Sequence, residues 1–389
     1  MAIPIEREEV LRLTQDLIAI ESHIDAAGRE AEIGRFLVDW FAARGVSAEL
    51  QPVDGERANV IARLSACDGP RLCLNGHLDT VPAGSMVDAF APRIENGVLW
   101  GRGACDMKGA VAAMACVLVG AEQARRRVEL ALAGELTFVG TVGEETGSIG
   151  VKALVDSGFS ADCAVVGEPT DLRVAVAHKG ACFVRITLTG RGAHGSRPEE
   201  GVNAASAAAR IVAALEDELR PRLAGRTYPL LGDSTVNVGR ICGGTQPNIV
   251  AERCEIDVDR RTLPGEVDPL DEVTSLVADI CAGVDGLSYD VAEMDETSIV
   301  PHVALGTSPE APLAQAAIDT CRDLGIDPDP IGVTYWTDGG HLAASGIETI
   351  VLGPGDIADA HGPNDRVRAA DLERAARLYG HIVESLLTE

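Results

Sequence analysis

Short apolar segments that end in glycine-containing turns are the feature that most restricts how this sequence can fold. They alternate with segments of helical periodicity, one of which is an alanine-rich run at 107–123. Apolar strands that alternate with helices predict an α/β fold with a central, mostly parallel sheet flanked by helices. In such sheets, functional side chains gather at the carboxyl ends of the strands. The predicted strands are 59–64, 71–75, 135–142, 162–166 and 349–352, and the other predicted helices are 6–20, 29–46 and 309–325.

The pattern changes after Gly180, where half-buried alternation replaces the continuous apolar runs. Two helical segments lie among these alternating strands, which predicts a small α+β unit of the ferredoxin-like kind. A chain of 389 residues is long for a single core. We predict a first catalytic part at 1–180, an inserted domain at 181–292 and a second catalytic part at 293–389. The strands predicted in the inserted domain are 181–190, 234–241 and 249–260, and its helices are 203–218 and 270–282.

The charge of the chain restricts its partners. A formal net charge of −27 argues against binding to nucleic acid or to an anionic membrane, since both need basic surfaces. The N-terminal segment is amphipathic rather than signal-like, and no segment is long and uncharged enough to span a membrane. The ten cysteines include no Cys-x-x-Cys pair, which is typical of buried thiols in a reducing compartment. We therefore expect a cytoplasmic protein.

The turns that follow the apolar segments carry the side chains that bind divalent metals. Histidine nitrogens and carboxylate oxygens suit zinc, and one carboxylate can bridge two ions about 3.5–4 Å apart. A polar turn after a strand is the ordinary explanation of any one of these residues, so the inference rests on the whole set. The set predicts a two-metal hydrolase. Its members are His77, Asp79, Asp106, Glu144, Glu145, Glu168 and His361.

Two adjacent acids, Glu144 and Glu145, are the most specific part of this pattern. They follow an apolar run, and two carboxylates at a buried strand end repel each other unless a cation neutralises them or one stays protonated. A division of labour is natural, in which one binds metal and the other transfers a proton. A nucleotide loop at 101–103 is a weak alternative, because it lacks the Gly-x-Gly-x-x-Gly spacing and the Lys-Ser/Thr ending.

Several motifs in a fixed order make the chain resemble a known family. It is similar, over nearly its whole length, to the acetylornithine deacetylase, succinyl-diaminopimelate desuccinylase, aminoacylase and carboxypeptidase G family of dinuclear metallohydrolases. The motifs are G-H-L-D-T-V-P, G-R-G-A-C-D-M-K-G, G-E-E-T-G-S-I-G, G-E-P-T, G-A-H-G-S-R-P, R-R-T-L-P-G-E, and G-P-G-D followed by A-H-G-P-N-D.

The resemblance implies a role for each residue of the metal set. His77 and Glu168 would bind one metal ion, and Glu145 and His361 would bind the other. Asp106 would bridge the two ions. By the same resemblance, Asp79 would orient His77, and Glu144 would act as general base and then general acid. The expected cofactors are two divalent ions, with zinc as the first choice and cobalt or manganese compatible with the same ligands.

The resemblance also implies roles for the inserted domain, which would serve as a lid and as the surface of a homodimer. His194 lies in that domain and is better placed to donate a hydrogen bond to a developing oxyanion than to bind metal. In many members of the family the equivalent histidine acts across the dimer. Asn248 and Arg261 match the positions that hold the substrate carboxylate, a task to which a bidentate arginine is suited.

The expected reaction is hydrolysis of the amide bond of an N-acyl amino acid, as in acetylornithine deacetylases. Desuccinylases are expected to have a Ser/Gly-rich stretch where this chain has Tyr335 and Trp336, so that alternative is weaker. A zinc exopeptidase or dipeptidase acting on short peptides is a second alternative. A non-catalytic binding protein is a third, against which the complete ligand set and Glu144 argue.

Overall fold

The computed structural model describes residues 3–65, 68–294 and 302–388. Its helices are α1 (Arg7–Ile18), α2 (Ala31–Ala42), α3 (Lys108–Arg126), α4 (Ile149–Asp156), α5 (Ala204–Ala214), α6 (Arg220–Leu223), α7 (Pro269–Cys281), α8 (Pro312–Asp323), α9 (Gly339–Ala344) and α10 (Ala369–Leu387). Short 3-10 turns lie at Pro198–Glu200 and Ile357–Asp359, and a π-helical turn lies at Leu215–Leu219.

The strands complete the inventory of secondary structure. They are β1 (Ala48–Asp54), β2 (Arg57–Ser65), β3 (Arg71–His77), β4 (Arg93–Glu95), β5 (Val98–Trp100), β6 (Glu135–Thr141), β7 (Cys163–Val166), β8 (Ala175–His178), β9 (Gly180–Thr189), β10 (Thr227–Tyr228), β11 (Gly232–Asp233), β12 (Thr235–Gly243), β13 (Arg253–Thr262), β14 (Ser288–Glu293), β15 (Leu305–Gly306), β16 (Ile331–Val333), β17 (Glu348–Val351) and β18 (Arg366–Arg368).

The chain forms two compact units. The larger unit consists of Met1–Ala177, Leu305–Val333 and Thr337–Glu389, and the smaller unit consists of His178–Ala304 with Thr334–Trp336. The segment 181–292, which the sequence predicts as an inserted domain, lies inside the smaller unit.

A mixed sheet runs through the larger unit in the order β1-β2-β6-β3-β7-β17-β8-β15, and β16 also pairs with β8. The central strands β6, β3, β7 and β17 are parallel to one another, and antiparallel strands lie on both sides of them. This confirms the predicted α/β class with a mostly parallel central sheet. Such a sheet needs cover on both faces, because its strands are apolar throughout.

Helices supply that cover. On one face α3 packs against β3 and β6, and the main core there includes Leu74 of β3 and its cross-strand neighbour Val165 of β7. Nearly every residue of α3 is buried, as its apolar sequence requires. On the other face lies α9, since a Cβ atom on Gly339 would contact Val166 and Thr349. The side chains of Val165 and Val166 thus point to opposite faces, as successive strand residues do.

The smaller unit has its own sheet and core. Its strands follow the order β12-β13-β9-β14 and are all antiparallel, and α5 and α7 pack together and against this sheet. The strand predicted at 249–260 is displaced, because β13 begins only at Arg253. Val250 instead donates its backbone N–H to the carbonyl of Ala193, so this apolar stretch pairs with a loop rather than with β9.

Two further features of the backbone complete the description of the fold. Among the described residues, no helix is long and apolar enough to cross a membrane. The peptide bond between Asp106 and Met107 is cis.

Candidate metal centre

The parallel strands of the larger unit bring their carboxyl ends to one edge of the sheet. Thr141 at the end of β6 pairs with His77 at the end of β3, and Val166 at the end of β7 pairs with Asn75 and Val351. The turns that follow these strands therefore start side by side. Glu144 and Glu145 follow β6, Glu168 follows β7, and the loop with His361 follows β17.

One group of potential metal ligands consists of His77, Asp106 and Glu168, all of which are buried. The Nε2 atom of His77 lies 2.9 Å from Oδ1 of Asp106 and 3.6 Å from Oε1 of Glu168. One ligand atom from each residue lies within 4.8 Å of the others. A single cation could therefore contact all three.

A second group consists of Asp106, Glu145 and His361, again with ligand atoms within 4.8 Å of one another. The Nε2 atom of His361 lies 3.0 Å from Oε1 of Glu145 and 3.1 Å from Oδ2 of Asp106. Asp106 thus belongs to both groups, with Oδ1 facing one imidazole and Oδ2 facing the other. This is the arrangement that a carboxylate bridging two cations requires.

Neighbouring backbone groups orient His77. Its Nδ1 atom lies 3.0 Å from the carbonyl oxygen of Asp79, whereas the nearer carboxylate oxygen of Asp79 is 3.6 Å away. An Nδ1–H that donates to this carbonyl leaves Nε2 unprotonated and facing Asp106, which is the tautomer that binds metal. The backbone of Asp79 is therefore the closer of the two partners.

The carboxylate of Asp79 has a second set of contacts. Its Oδ1 accepts a hydrogen bond from the backbone N–H of Glu144 at 3.1 Å, and its Oδ2 accepts one from Glu145 at 3.0 Å. One buried side chain thus holds the turn that presents both glutamates while it lies beside His77. Burial raises the pKa of Asp79 to about 7.

The concentration of carboxylates changes the protonation of the site. Burial, with the charge of Glu168, raises the pKa of Glu144 well above its ordinary value, and burial together with Asp106 does the same for Glu168. Hydrogen bonds to Asp106 and Glu145 raise the pKa of His361 to about 10. These pKa shifts indicate that the carboxylates of the site carry more negative charge than the two imidazoles can neutralise. The donors and the charge balance fit two divalent cations.

Asp338, at the start of α9, is a further acid that the sequence analysis did not select. It is buried, and its Oδ2 accepts a hydrogen bond from the hydroxyl of Thr141 at 2.6 Å. Its charge is one of the influences that raise the pKa of Glu144, and burial raises its own pKa to about 6. The only sequence signal is its position after Thr337 in a turn, which many surface acids share.

His194 and Asn248 lie together in the smaller unit. The backbone of His194 forms an isolated antiparallel β-bridge with Ile249, and the backbone N–H of Gly195 donates to the carbonyl of Asn248. The Nδ1 atom of His194 accepts a hydrogen bond from the backbone N–H of Ser196 at 3.2 Å and lies 2.7 Å from its hydroxyl. A neutral imidazole that accepts through Nδ1 carries its proton on Nε2. His194 is exposed, so this N–H is available as a donor.

Arg261 lies near the other end of the same sheet. It is eight residues along β13 from Arg253, a distance of roughly 26 Å at the rise of a β-strand. His194 and Asn248 precede the start of β13, so one chain does not bring them to Arg261. The guanidinium of Arg261 pairs with Asp259 at 2.9 Å and lies over two aromatic rings. These rings belong to Phe183, at 5.6 Å, and Trp336, at 5.0 Å.

Comparison with known proteins gives consistent matches along the whole chain. The sequence profile of peptidase family M20/M25/M40 matches residues 73–385. A relative from Talaromyces marneffei, described as a probable carboxypeptidase, is 29% identical over 418 residues, which cover 98% of this chain and 86% of the relative.

Solved structures match with similar coverage. A tripeptidase from Staphylococcus aureus superposes with a TM-score of 0.79 at 24% identity, over 98% of both chains. A dinuclear metal-binding peptidase from Bacillus subtilis superposes with a TM-score of 0.70 at 16% identity, over 97% of both chains. These two proteins share the fold of this chain.

Proposed function

Because the chain belongs to peptidase family M20/M25/M40, we propose that it hydrolyses an amide bond at a centre of two divalent metal ions. One observation carries the proposal. The two oxygens of Asp106 face two separate groups of ligands, one with His77 and Glu168 and one with Glu145 and His361. A structural carboxylate would need only one such partner.

Zinc fits this ligand set best, and cobalt or manganese would be accepted by the same donors. When bound, two such ions polarise the scissile carbonyl group and increase the acidity of a water molecule between them. His77 and Glu168 would hold one ion, Glu145 and His361 the other, and Asp106 both. The support is the placement of each imidazole Nε2 within 3.1 Å of an Asp106 oxygen.

Glu144 would transfer the proton. It is buried beside Glu145 but belongs to neither ligand group, so its carboxylate remains available. It would take a proton from the attacking water and deliver it to the departing nitrogen, which requires a base with a pKa near the working pH. Burial and neighbouring carboxylates shift its pKa in that direction.

The oxyanion would receive a hydrogen bond from Nε2 of His194, and we propose that a second copy of the chain supplies it. His194 and Asn248 lie too far along the sheet to join Arg261 within one chain. The edge strand β12 and the adjacent loop expose Ile241 and Ile249 beside a groove of about 570 Å³. An apolar sheet edge of this kind favours pairing with another copy.

A mixing experiment tests this homodimer. Glu144→Ala and His194→Ala should each be nearly inactive alone. Mixed dimers would contain one site with an intact Glu144 and the partner's intact His194. Random reassembly should therefore restore roughly a quarter of wild-type activity. Mixtures that stay as inactive as the separate variants would exclude this role for the partner.

Arg261 would bind the carboxylate of the substrate. Asp259 and two aromatic rings fix its guanidinium through Nε, Nη2 and the ring faces, so Nη1 makes no hydrogen bond to the part of the chain that the structure describes. A free carboxylate next to the scissile amide is common to N-acyl amino acids and to the C-terminal residue of peptides. We propose an N-acyl amino acid of the acetylornithine type as the substrate.

Short peptides are the second candidate. The Talaromyces marneffei relative is described as a probable carboxypeptidase, and the Staphylococcus aureus structure is that of a tripeptidase. Both descriptions favour a peptide as the acyl donor. A succinylated diamino acid is a third possibility within the same chemistry.

The two units of the chain would have different tasks. We propose that the smaller unit acts as lid and dimerisation domain, with catalytic parts at 1–180 and 293–389 around an insertion at 181–292. A cytoplasmic location also remains a prediction.

A substrate screen tests the proposed function. Protein loaded with zinc or cobalt would be assayed on N-acetylornithine, other N-acetyl amino acids, N-succinyl-diaminopimelate, dipeptides and tripeptides. Glu144→Ala is the control for contaminating activity. Preference for acetylated amino acids supports the deacetylase, and preference for peptides supports the peptidase. No bound metal and no hydrolysis would refute both.

A further inference from the structure

A buried ion pair joins three segments that carry the candidate metal ligands. Arg102 and Asp365 are 263 residues apart, and both are almost inaccessible to solvent. Nη1 of Arg102 donates to Oδ2 of Asp365 at 3.1 Å. Neither residue belongs to either ligand group.

The guanidinium of Arg102 reaches two of the three segments. Its Nε donates to the carbonyl of Pro82 at 3.2 Å, and its Nη2 donates to the carbonyl of Ala83 at 3.2 Å. Both carbonyls follow closely on the turn with His77. Nη2 also lies 3.2 Å from the carbonyl of Gly362, the residue next to His361.

The carboxylate of Asp365 reaches the third segment. Its Oδ2 accepts a hydrogen bond from the backbone N–H of Gly103 at 2.7 Å, and its Oδ1 accepts one from Cys105 at 2.9 Å. Cys105 immediately precedes Asp106. Gly103 has a φ of +84°, and a Cβ atom there would approach Thr80 to 2.8 Å, so this backbone is also packed against the His77 turn.

The arrangement has a physical consequence for metal binding. Ligand atoms must lie within about 0.2 Å of their ideal distances from an ion, yet these ligands come from distant parts of the sequence. A buried ion pair contributes little net stability compared with apolar side chains of the same size. Its contacts here go to the backbone of ligand-bearing segments, which is what a positioning role requires.

We propose that Arg102 and Asp365 act as a positioning pair that fixes the His77, Asp106 and His361 segments before metal binds. The inference rests on the proposed metal centre and adds to it residues that touch neither metal nor substrate. Loss of partners around a metal site typically lowers metal affinity by about 10- to 100-fold. We expect a loss of that size when the pair is broken.

The first test measures zinc affinity of Asp365→Asn by competition with a chelator. The asparagine keeps the size of the side chain but can accept only one of the two amide hydrogen bonds. Zinc affinity should fall about 10- to 100-fold, and the visible absorption spectrum of the cobalt-loaded protein should change. Arg102→Lys should show the same effects, since a lysine cannot reach four acceptors in different directions.

Arg260→Lys is the matched control. Arg260 is also completely buried, and it donates to Ser234 and Thr235 and pairs with Glu266 at 2.6 Å, all within the smaller unit. It should lower the melting temperature as Arg102→Lys does but leave zinc affinity unchanged. Equal loss of zinc affinity in both would overturn the proposal, because general destabilisation would then explain the effect.

A measurement on the unmodified protein covers the case in which the variants do not fold. The amide protons of Gly103 and Cys105 should exchange slowly with deuterium in metal-free protein, and zinc should change this little. Rapid exchange that zinc suppresses would mean that the metal, not the pair, organises the segment, and would refute the proposal. If the wild type binds zinc and Asp365→Asn binds it with the same affinity, the positioning role of the pair is refuted while the metal centre stands. Failure of the wild type to bind any metal would refute the metal centre with it.

Discussion

Asp79→Asn is the most informative single change, because this side chain holds the turn of the proposed general base. In the wild type its two oxygens accept one backbone hydrogen bond each, from Glu144 and Glu145, at 3.1 and 3.0 Å. An asparagine has one carbonyl oxygen, and its NH2 group would face a backbone N–H. One buried donor is then unsatisfied, which costs about 1–3 kcal/mol.

That free energy translates into a measurable loss of activity. If the turn relaxes to satisfy the donor, the Glu144 carboxylate moves, and a displacement of about 1 Å can lower turnover about 10²-fold. If about 1.4–2.8 kcal/mol of the lost free energy appears as a higher activation barrier, turnover falls about 10- to 100-fold, which agrees with that estimate. We therefore expect kcat to fall by about that factor, with weaker binding of the metal ion that Glu145 is proposed to hold.

The assay is steady-state kinetics on the best substrate, with metal content measured by mass spectrometry. Asp162→Asn is the control, because the Asp162 carboxylate also accepts a backbone N–H, from Arg71 at 2.8 Å, but lies at the amino end of the strands. Asp162→Asn should keep kcat. If Asp79→Asn keeps kcat within twofold of the wild type, the reasoning about this turn is wrong.

Four further predictions follow from the same geometry. Glu144→Ala should lower kcat about 10²- to 10⁴-fold while metal content stays at two ions per chain; loss of metal would make it a ligand instead. His194→Ala should lower kcat about 10²- to 10³-fold without loss of metal, as removal of one oxyanion donor does, and near-normal turnover would remove it from the site. Arg261→Ala should mainly raise KM for substrates with a free carboxylate, and an unchanged KM would contradict its assignment. Asp338→Asn removes a negative charge near Glu144. Burial would still raise the pKa of Glu144, but the total upward shift would be smaller, so the acidic limb of the kcat/KM profile should move to lower pH. Movement of that limb to higher pH would exclude an effect of Asp338 on Glu144.

The sequence predicted the part of the site that depends on strand ends. His77, Glu145 and Glu168 each follow an apolar run, and parallel strands bring such turns to one edge. The sequence analysis placed Asp106 and His361 in the same ligand set, but Asp106 lies just before α3 and His361 lies well beyond the end of β17, so strand ends alone do not bring them beside the others. Their positions depend on loops whose paths the local pattern does not specify.

What the sequence did not reveal depends on contacts between distant segments. Arg102 and Asp365 lie in two of the motifs that carry the family resemblance, and nothing local indicates that they meet across 263 positions. The displaced start of β13 has a similar cause. Ile249 and Val250 have the apolar, β-branched character of strand residues, but their backbone pairs with the loop at Ala193 and His194 instead of with β9. Tertiary pairing thus overrides a correct reading of local propensity.

The charge of the site connects its chemistry to the stability of the protein. Glu144 and Glu168 are buried with raised pKa values, because the neighbouring His77 offsets only part of the effect of burial and of the other carboxylates. Transfer of a carboxylate from water to such surroundings is costly unless a cation or a proton offsets it. Divalent ions that bind the folded chain and not the unfolded one therefore add to folding stability, and this contribution grows with the logarithm of their affinity. Asp106 is central to this balance, because burial raises its pKa while the neighbouring His361 and His77 lower it, and the net shift is downward. Asp106, which can contact both ions, is thus also the carboxylate that stays ionised. The buried carboxylates therefore cost stability in the metal-free protein, but they leave Asp106 ready to bridge two metal ions.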